Sequence, residues 1–302
     1  MAGQINNAMM DQSPAATVPF GVNSPEVQEL LRITRSIPWR EENTAVSALS
    51  LFGWLAIAPI IGKLKWRPHL WLDGPAGSGK SWMLNEIVMP ALGAHARRLA
   101  KGMEATIRKG MAGHTGAVIF EDQDADDAAG WDRLAAILRI ARQASVAGAS
   151  VQIGSKTHKI SATTFLVTTT STSLEAAADM SRFGFANVGG FVSENDKFHI
   201  ALAARELFSR CAADGPSNCF ADRFAARMAL RAGDFEETRR VMIEVFQGLG
   251  CERRVGDVYG SFAAGAWLVL RDGVPESVEK ADDWLGEVFG VTSEIRNLNR
   301  RR

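Results

Sequence analysis

The run Gly74-Pro75-Ala76-Gly77-Ser78-Gly79-Lys80-Ser81 limits what this chain can fold into more than any other feature. It satisfies the pattern G-x-x-x-x-G-K-[ST]. Its glycines tolerate positive φ, so backbone N–H groups can turn inward around an anion. The apolar segment His69-Leu70-Trp71-Leu72 before it reads as a strand, and Trp82-Met83-Leu84 after it reads as a helix. A strand, a glycine-rich turn and the free N–H groups of a helix start together make a phosphate cradle. The expected ligand is a nucleoside triphosphate, ATP, held by Gly74, Pro75, Ala76, Gly77, Ser78, Gly79, Lys80 and Ser81. Lys80 would reach the β- and γ-phosphates, and Ser81 Oγ would ligate Mg²⁺.

Such a cradle needs a carboxylate at the end of a neighbouring apolar strand to hold the metal. Ala117-Val118-Ile119-Phe120 followed by Glu121-Asp122 supplies one. Glu121 falls at the metal-binding position and Asp122 at the position of the base that activates water. The usual order is the reverse, aspartate first and glutamate second. Asp122 is the shorter base at that position, so the swap leaves the rate of turnover open.

The rest of the chain divides by pattern. Residues 1–22 are rich in Ala, Gln, Asn, Ser and Pro without apolar periodicity, and read as a disordered N-terminus. Residues 23–66 read as a helical prefix, with Asn23-Ser24-Pro25-Glu26 as a helix start. Asn43 to Gly62 is uncharged over 20 residues, long enough to cross a bilayer, but Ser47, Ser50, Gly53 and Pro59 dilute it. A buried core helix is the expectation, with no membrane partner. Residues 67–193 alternate strand and helix, which implies βαβ units and a parallel sheet, and 194–302 are helical throughout. The fold class is therefore α/β: a parallel-sheet core flanked by helices, with a helical prefix and a helical C-terminal region.

Lysine plus arginine equals aspartate plus glutamate at 34 each, so no global field draws the chain to nucleic acid. Three cysteines, Cys211, Cys219 and Cys251, are too few and too scattered for a disulfide framework or a zinc site. With no signal peptide pattern, a cytoplasmic location is expected. The histidines show no ligand or triad spacing and read as structural, and the eight tryptophans read mostly as core.

Several segments resemble the ATPase domain of phage and prophage primase–helicase proteins, an AAA+-like family related to superfamily 3 helicases. They include Gly53-Trp54-Leu55-Ala56-Ile57-Ala58-Pro59, Trp66-Arg67-Pro68-His69, Glu104-Ala105-Thr106-Ile107-Arg108, Ser181-Arg182-Phe183 and Asp257-Val258-Tyr259-Gly260. The likeness spans most of residues 50–290. It implies a P-loop NTPase core acting as a DNA helicase or translocase in mobile-element replication. It also implies a homo-oligomeric ring, a hexamer, on single-stranded DNA, with a primase or other replication protein as partner.

The same likeness gives roles to further residues. Thr164-Phe165-Leu166-Val167 runs into Thr168-Thr169-Thr170-Ser171, which looks like the sensor-1 element, with Thr169 and Thr170 as candidates. Plain β-propensity and turn chemistry explain the same run. Arg182 stands where the family carries an arginine finger, or else pairs with Asp179. Arg254 is a candidate second sensor. Val151–Ile153 and Lys159–Ser161 flank a basic turn, so Lys156, His158 and Lys159 either grip DNA phosphates from a hairpin tip or merely solvate it. Two readings from other classes stand beside the motor: a P-loop small-molecule kinase, and a nucleotide-switched scaffold.

Overall fold

The computed structural model describes residues 17–99, 102–124, 127–153, 156–159, 161–170, 179, 181–191, 193–212 and 218–291, with only the backbone at 150–153 and 156–159. Most of the expected disordered N-terminus and the terminal Arg300-Arg301-Arg302 lie outside these residues.

Five parallel strands form the central sheet: β1 His69–Asp73, β2 Ala96–Leu99, β3 Gly116–Phe120, β6 Thr163–Thr169 and β7 Phe183–Asn187. Their order is β2-β3-β6-β1-β7. Every neighbouring pair is parallel, so both faces must be covered by helices. Side chains alternate accordingly. Leu70, Leu72, Ile119 and Leu166 enter one core; Trp71, Val118, Phe120, Phe165 and Val167 enter the other. The second core is closed by α5 Glu104–Met111 and α6 Ala128–Ala144.

The first core is much larger. It is shared by α1 Pro25–Ser36 and α2 Thr44–Ile57 of the prefix and by the C-terminal helices α7 Glu194–Ala212, α8 Phe220–Arg231, α9 Phe235–Gly248, α10 Arg253–Leu270 and α11 Val278–Phe289. Glu41–Lys63 is long and apolar enough to cross a membrane, but 89% of its most apolar window is buried inside the protein. Helix α2 lies between the sheet and α10. Gly53 and Gly265 let the two backbones meet: a Cβ on Gly53 would stand 2.2 Å from the Phe262 carbonyl oxygen, and one on Gly265 would stand 2.9 Å from the Gly53 oxygen. The apolarity of 43–62 is thus spent on helix–sheet and helix–helix packing.

A hairpin leaves the sheet before β6. Its strands β4 Ser150–Ile153 and β5 Lys156–Lys159 pair antiparallel, Ile153 opposite Lys156. The expected five-residue basic turn is thereby corrected. Lys156, His158 and Lys159 belong to the second strand.

At the foot of the sheet His69 is fully buried. Its Nδ1 accepts from the Phe165 N–H at 3.1 Å, and its Nε2 lies 2.9 Å from the Ala141 oxygen and 3.0 Å from Ser145 Oγ. Burial, aided by the Arg182 and Arg67 charges, pushes its pKa down from 6.5 to about 4. A histidine held neutral stabilises the fold fully above the unfolded pKa and loses that contribution as pH falls from 6.5 towards 4. The loss amounts to about 3 kcal/mol by pH 4. Chemical denaturation of wild type and His69→Gln between pH 7 and 4 should show about one proton less of slope in the variant; parallel curves would refute it.

Candidate functional site

The C-terminal ends of β1, β6 and β3 lie side by side because β6 inserts between the other two. Their loops therefore converge, as expected for a site at the carboxyl edge of a parallel sheet. The loop after β1 turns on Gly77 at φ 77° and Gly79 at φ 97°, both left-handed. Ser78 N–H donates to the Pro75 oxygen at 3.1 Å, and Lys80 opens α3 Lys80–Met83. That helix continues as a π-helical turn, Leu84–Val88, into α4 Met89–Leu92. Segment 188–191 backs the loop. A Cβ on Gly74 would meet the Val188 oxygen at 2.7 Å, and one on Gly79 would meet the Phe191 ring at 2.6 Å. Phe191 in turn stands edge-on to Trp82. Glycine is required at Gly74 by close approach, and at Gly79 by close approach and by its positive φ.

Lys80 is buried, and its Nζ donates to the Gly74 oxygen at 2.5 Å and the Pro75 oxygen at 3.1 Å. Burial lowers its pKa, while Asp124, Asp122 and Asp73 oppose the shift. An ammonium drawn over loop carbonyls, with carboxylates in reach, suits a triphosphate carrying a divalent cation. Ser78 Oγ, 3% exposed as a residue, finds no hydrogen-bond partner inside the loop, and Ser81 is exposed beside it. An orphaned buried hydroxyl within a ring of inward glycines fits a phosphate oxygen as its partner.

The acids after β3 are ordered by β6. Asp122 adopts φ 52°, and its N–H donates to Thr168 Oγ1 at 2.9 Å; the Gln123 N–H donates to the Thr168 oxygen at 2.9 Å. The left-handed turn lets Asp122 and Asp124 act on Lys80. Glu121 instead has Arg98 Nη1 at 3.5 Å, and Arg98 also donates to Asn85 Oδ1 at 2.6 Å. The sequence points to Glu121 as the metal carboxylate; the structure gives it an arginine neighbour and places Asp122 and Asp124 nearer the lysine's field. Asp124 and Asp73 are the residues that sequence reasoning missed. Asp124 lay hidden in an acidic run that reads as a solvated loop, and Asp73 in the last position of an apolar strand.

Thr169 needs correction. It is fully buried, and its Oγ1 accepts from Trp71 Nε1 at 3.0 Å. Thr170 makes the contact with the acidic loop: its N–H and hydroxyl donate to Asp124 Oδ1 at 2.6 and 2.9 Å. Alternation along the strand turns successive hydroxyls to opposite sides, which a run of threonines cannot reveal by composition.

Arg182 lies elsewhere. Phe183, the next residue, pairs with His69 at the start of β1, while Asp73 pairs with Asn187 at the far end. A five-residue strand puts roughly 13–17 Å between the arginine and its own phosphate loop. The Asp179 carboxylate, the expected partner of Arg182, is bound in bidentate fashion by Arg142 Nε and Nη2, the latter at 2.7 Å. Arg182 is half-buried, and burial lowers its pKa, with Asp179 opposing and Arg142 and Arg254 reinforcing the shift. Arg254, the candidate second sensor, is close enough for its charge to act on Arg182. The side chains of Lys156, His158 and Lys159 lie outside the described set. Among the described residues no three His, Cys, Asp or Glu side chains form a metal cluster.

No family model matches the chain, and no curated protein matches it. Among solved structures it resembles the active helicase Cch of SCCmec type IV, with a TM-score of 0.50 and 11% identity over 94% of this chain. It spans 50% of that helicase's length. It is also similar to a candidate ATPase from Cytophaga hutchinsonii, with a TM-score of 0.45 and 12% identity over 92% of this chain and 94% of that one. The fold is α/β, a five-stranded parallel sheet flanked by helices, shared with that helicase structure.

Proposed function

We propose that this chain is an ATP-hydrolysing motor subunit that moves along or opens DNA in phage or prophage replication, as a homo-oligomeric ring. The observation that carries the reading is the placement of Lys80 and Asp122/Asp124 at one end of β1 and β3 and of Arg182 at the opposite end of β7. An arginine that cannot reach its own phosphate loop can complete a neighbour's. In such a ring Lys80 leaves the Gly74 and Pro75 carbonyls for the β- and γ-phosphates. The loop N–H groups and Ser78 Oγ hold the phosphate oxygens, and Ser81 with Glu121 would hold Mg²⁺, which neutralises charge on the transferring phosphoryl group. Asp122, fixed by Thr168, orients the attacking water, and Thr170 holds Asp124 beside it. Hairpin β4–β5 is the proposed grip on single-stranded DNA, through Lys156, His158 and Lys159. A hexamer, a primase partner and a cytoplasmic location belong to the same reading; the resemblance to a helicase supports it at the level of fold.

The test is ATPase activity with and without single-stranded DNA, in wild type and Lys80→Ala. DNA should stimulate wild-type hydrolysis, and Lys80→Ala should lower turnover by about 10²–10³-fold, the usual loss when one group aimed at developing charge is removed. DNA-independent phosphate transfer to a small acceptor would replace the motor with a kinase. Tight ATP binding without hydrolysis would leave a nucleotide-switched scaffold, the outcome that Arg98 beside Glu121 favours.

A further inference from the structure

Asp73 is the last residue of β1, one position before the carbonyl that Lys80 grips, and it is only 4% exposed. Its carboxylate is pinned. Asn187 Nδ2, on the adjoining strand, donates to Oδ1, and Asn187 is itself held by the Asn43 side chain at 3.0 Å. Ser47 Oγ accepts from the Asn187 N–H at 3.0 Å, and the Val188 N–H donates to the Asp73 carbonyl at 2.8 Å. The carboxylate is thus held by Asn187 of β7, which the start of α2 holds in turn through Asn43 and Ser47. Asp122 and Asp124 sit in an open loop where water screens them. Asp73 is buried at the strand end that leads into the phosphate loop, and its charge acts on Lys80 after those of Asp124 and Asp122. Neither the metal nor the base role requires it.

Lys80 brings one positive charge to a site where Asp73, Asp122 and Asp124 bring three negative ones. A bare triphosphate adds more negative charge to that excess, whereas a triphosphate carrying a divalent cation adds less. We infer that Asp73 is a specificity-determining residue that makes the phosphate loop select magnesium-bound over magnesium-free nucleotide, with the Asn43–Asn187 pair holding its carboxylate in place. The inference rests on the nucleotide-site reading above.

Equilibrium binding of ATP in Mg²⁺ and in EDTA tests it, in wild type, Asp73→Asn and Asp73→Ser. Asparagine keeps an acceptor for Asn187 and nearly the same volume; serine removes the charge by another route should the first variant fold poorly. In either variant the ratio of the EDTA to the Mg²⁺ dissociation constant should fall roughly five- to tenfold, through tighter magnesium-free binding. An unchanged ratio would mean that the carboxylate only clamps Asn187, and would overturn the inference alone. A fall caused by weaker binding in Mg²⁺ would make Asp73 a metal ligand and would overturn it too. Wild type that binds ATP under neither condition would overturn the nucleotide site and this inference together.

Discussion

Arg182→Ala should bind MgATP as wild type does and hydrolyse it about 10³-fold more slowly or worse, the range set by removal of a trans-acting arginine. The register of β1 and β7 makes the split between binding and turnover a strong expectation. Arg182 follows the turn in which its N–H donates to the Asp179 carbonyl at 2.9 Å, and its own carbonyl accepts from the His69 N–H at 2.9 Å. Its backbone is therefore fixed at the foot of the sheet, a full strand length from its own Lys80. Nothing in the nucleotide's binding free energy to one subunit depends on it. Its charge is partly buried, favoured by Asp179 and opposed by Arg142 and Arg254. Two measurements check this: nucleotide affinity of the variant, and turnover of wild type mixed with increasing amounts of it. Inhibition steeper than dilution supports action in trans. Normal turnover of pure Arg182→Ala removes both the finger and the need for a ring.

Gly53→Val should destabilise the chain by more than about 4 kcal/mol and abolish its accumulation as a folded protein. Overpacking usually costs less, because side chains can shift. Here the first added carbon already stands 2.2 Å from the Phe262 carbonyl oxygen and 2.6 Å from its carbonyl carbon, which are backbone atoms of α10. Relief requires separating α2 from α10, and α2 is buried along nearly its whole length between α10 and the sheet. Phe262 also presses its ring against Gly184 of β7, so the displacement would reach the sheet. Soluble yield and thermal unfolding of Gly53→Val measure the effect. A variant that melts within a few degrees of wild type would show that this crossing is looser than drawn.

The phosphate loop was legible because its chemistry is local. Positive φ at Gly77 and Gly79, a lysine one residue later and a helix start need no distant partner to be recognised. The strands at 69–73, 116–120 and 163–169 were legible for a related reason: strands buried on both faces read as continuous apolar runs. Strand β2 was not, since Ala96-Arg97-Arg98-Leu99 lies at the sheet edge and carries charges that look like a solvated cluster. Strand β7, Phe183–Asn187, was hidden by its glycine and by a polar end; its Asn187 serves Asp73 rather than an apolar core.

What the residues determined alone is the cradle for phosphates, the need for carboxylates at a neighbouring strand end, and a long apolar helix that had to be buried. Those follow from short-range geometry and from the cost of exposing apolar surface. Only the tertiary structure decided which acids share the field of Lys80, that Thr170 and not Thr169 meets them, and that Arg142 takes the Asp179 carboxylate. The order β2-β3-β6-β1-β7 is the physical reason. Inserting β6 between the loop strand and the acid strand sets which side chains share the field of Lys80, and pairing β7 beside β1 puts Arg182 a strand length from that lysine.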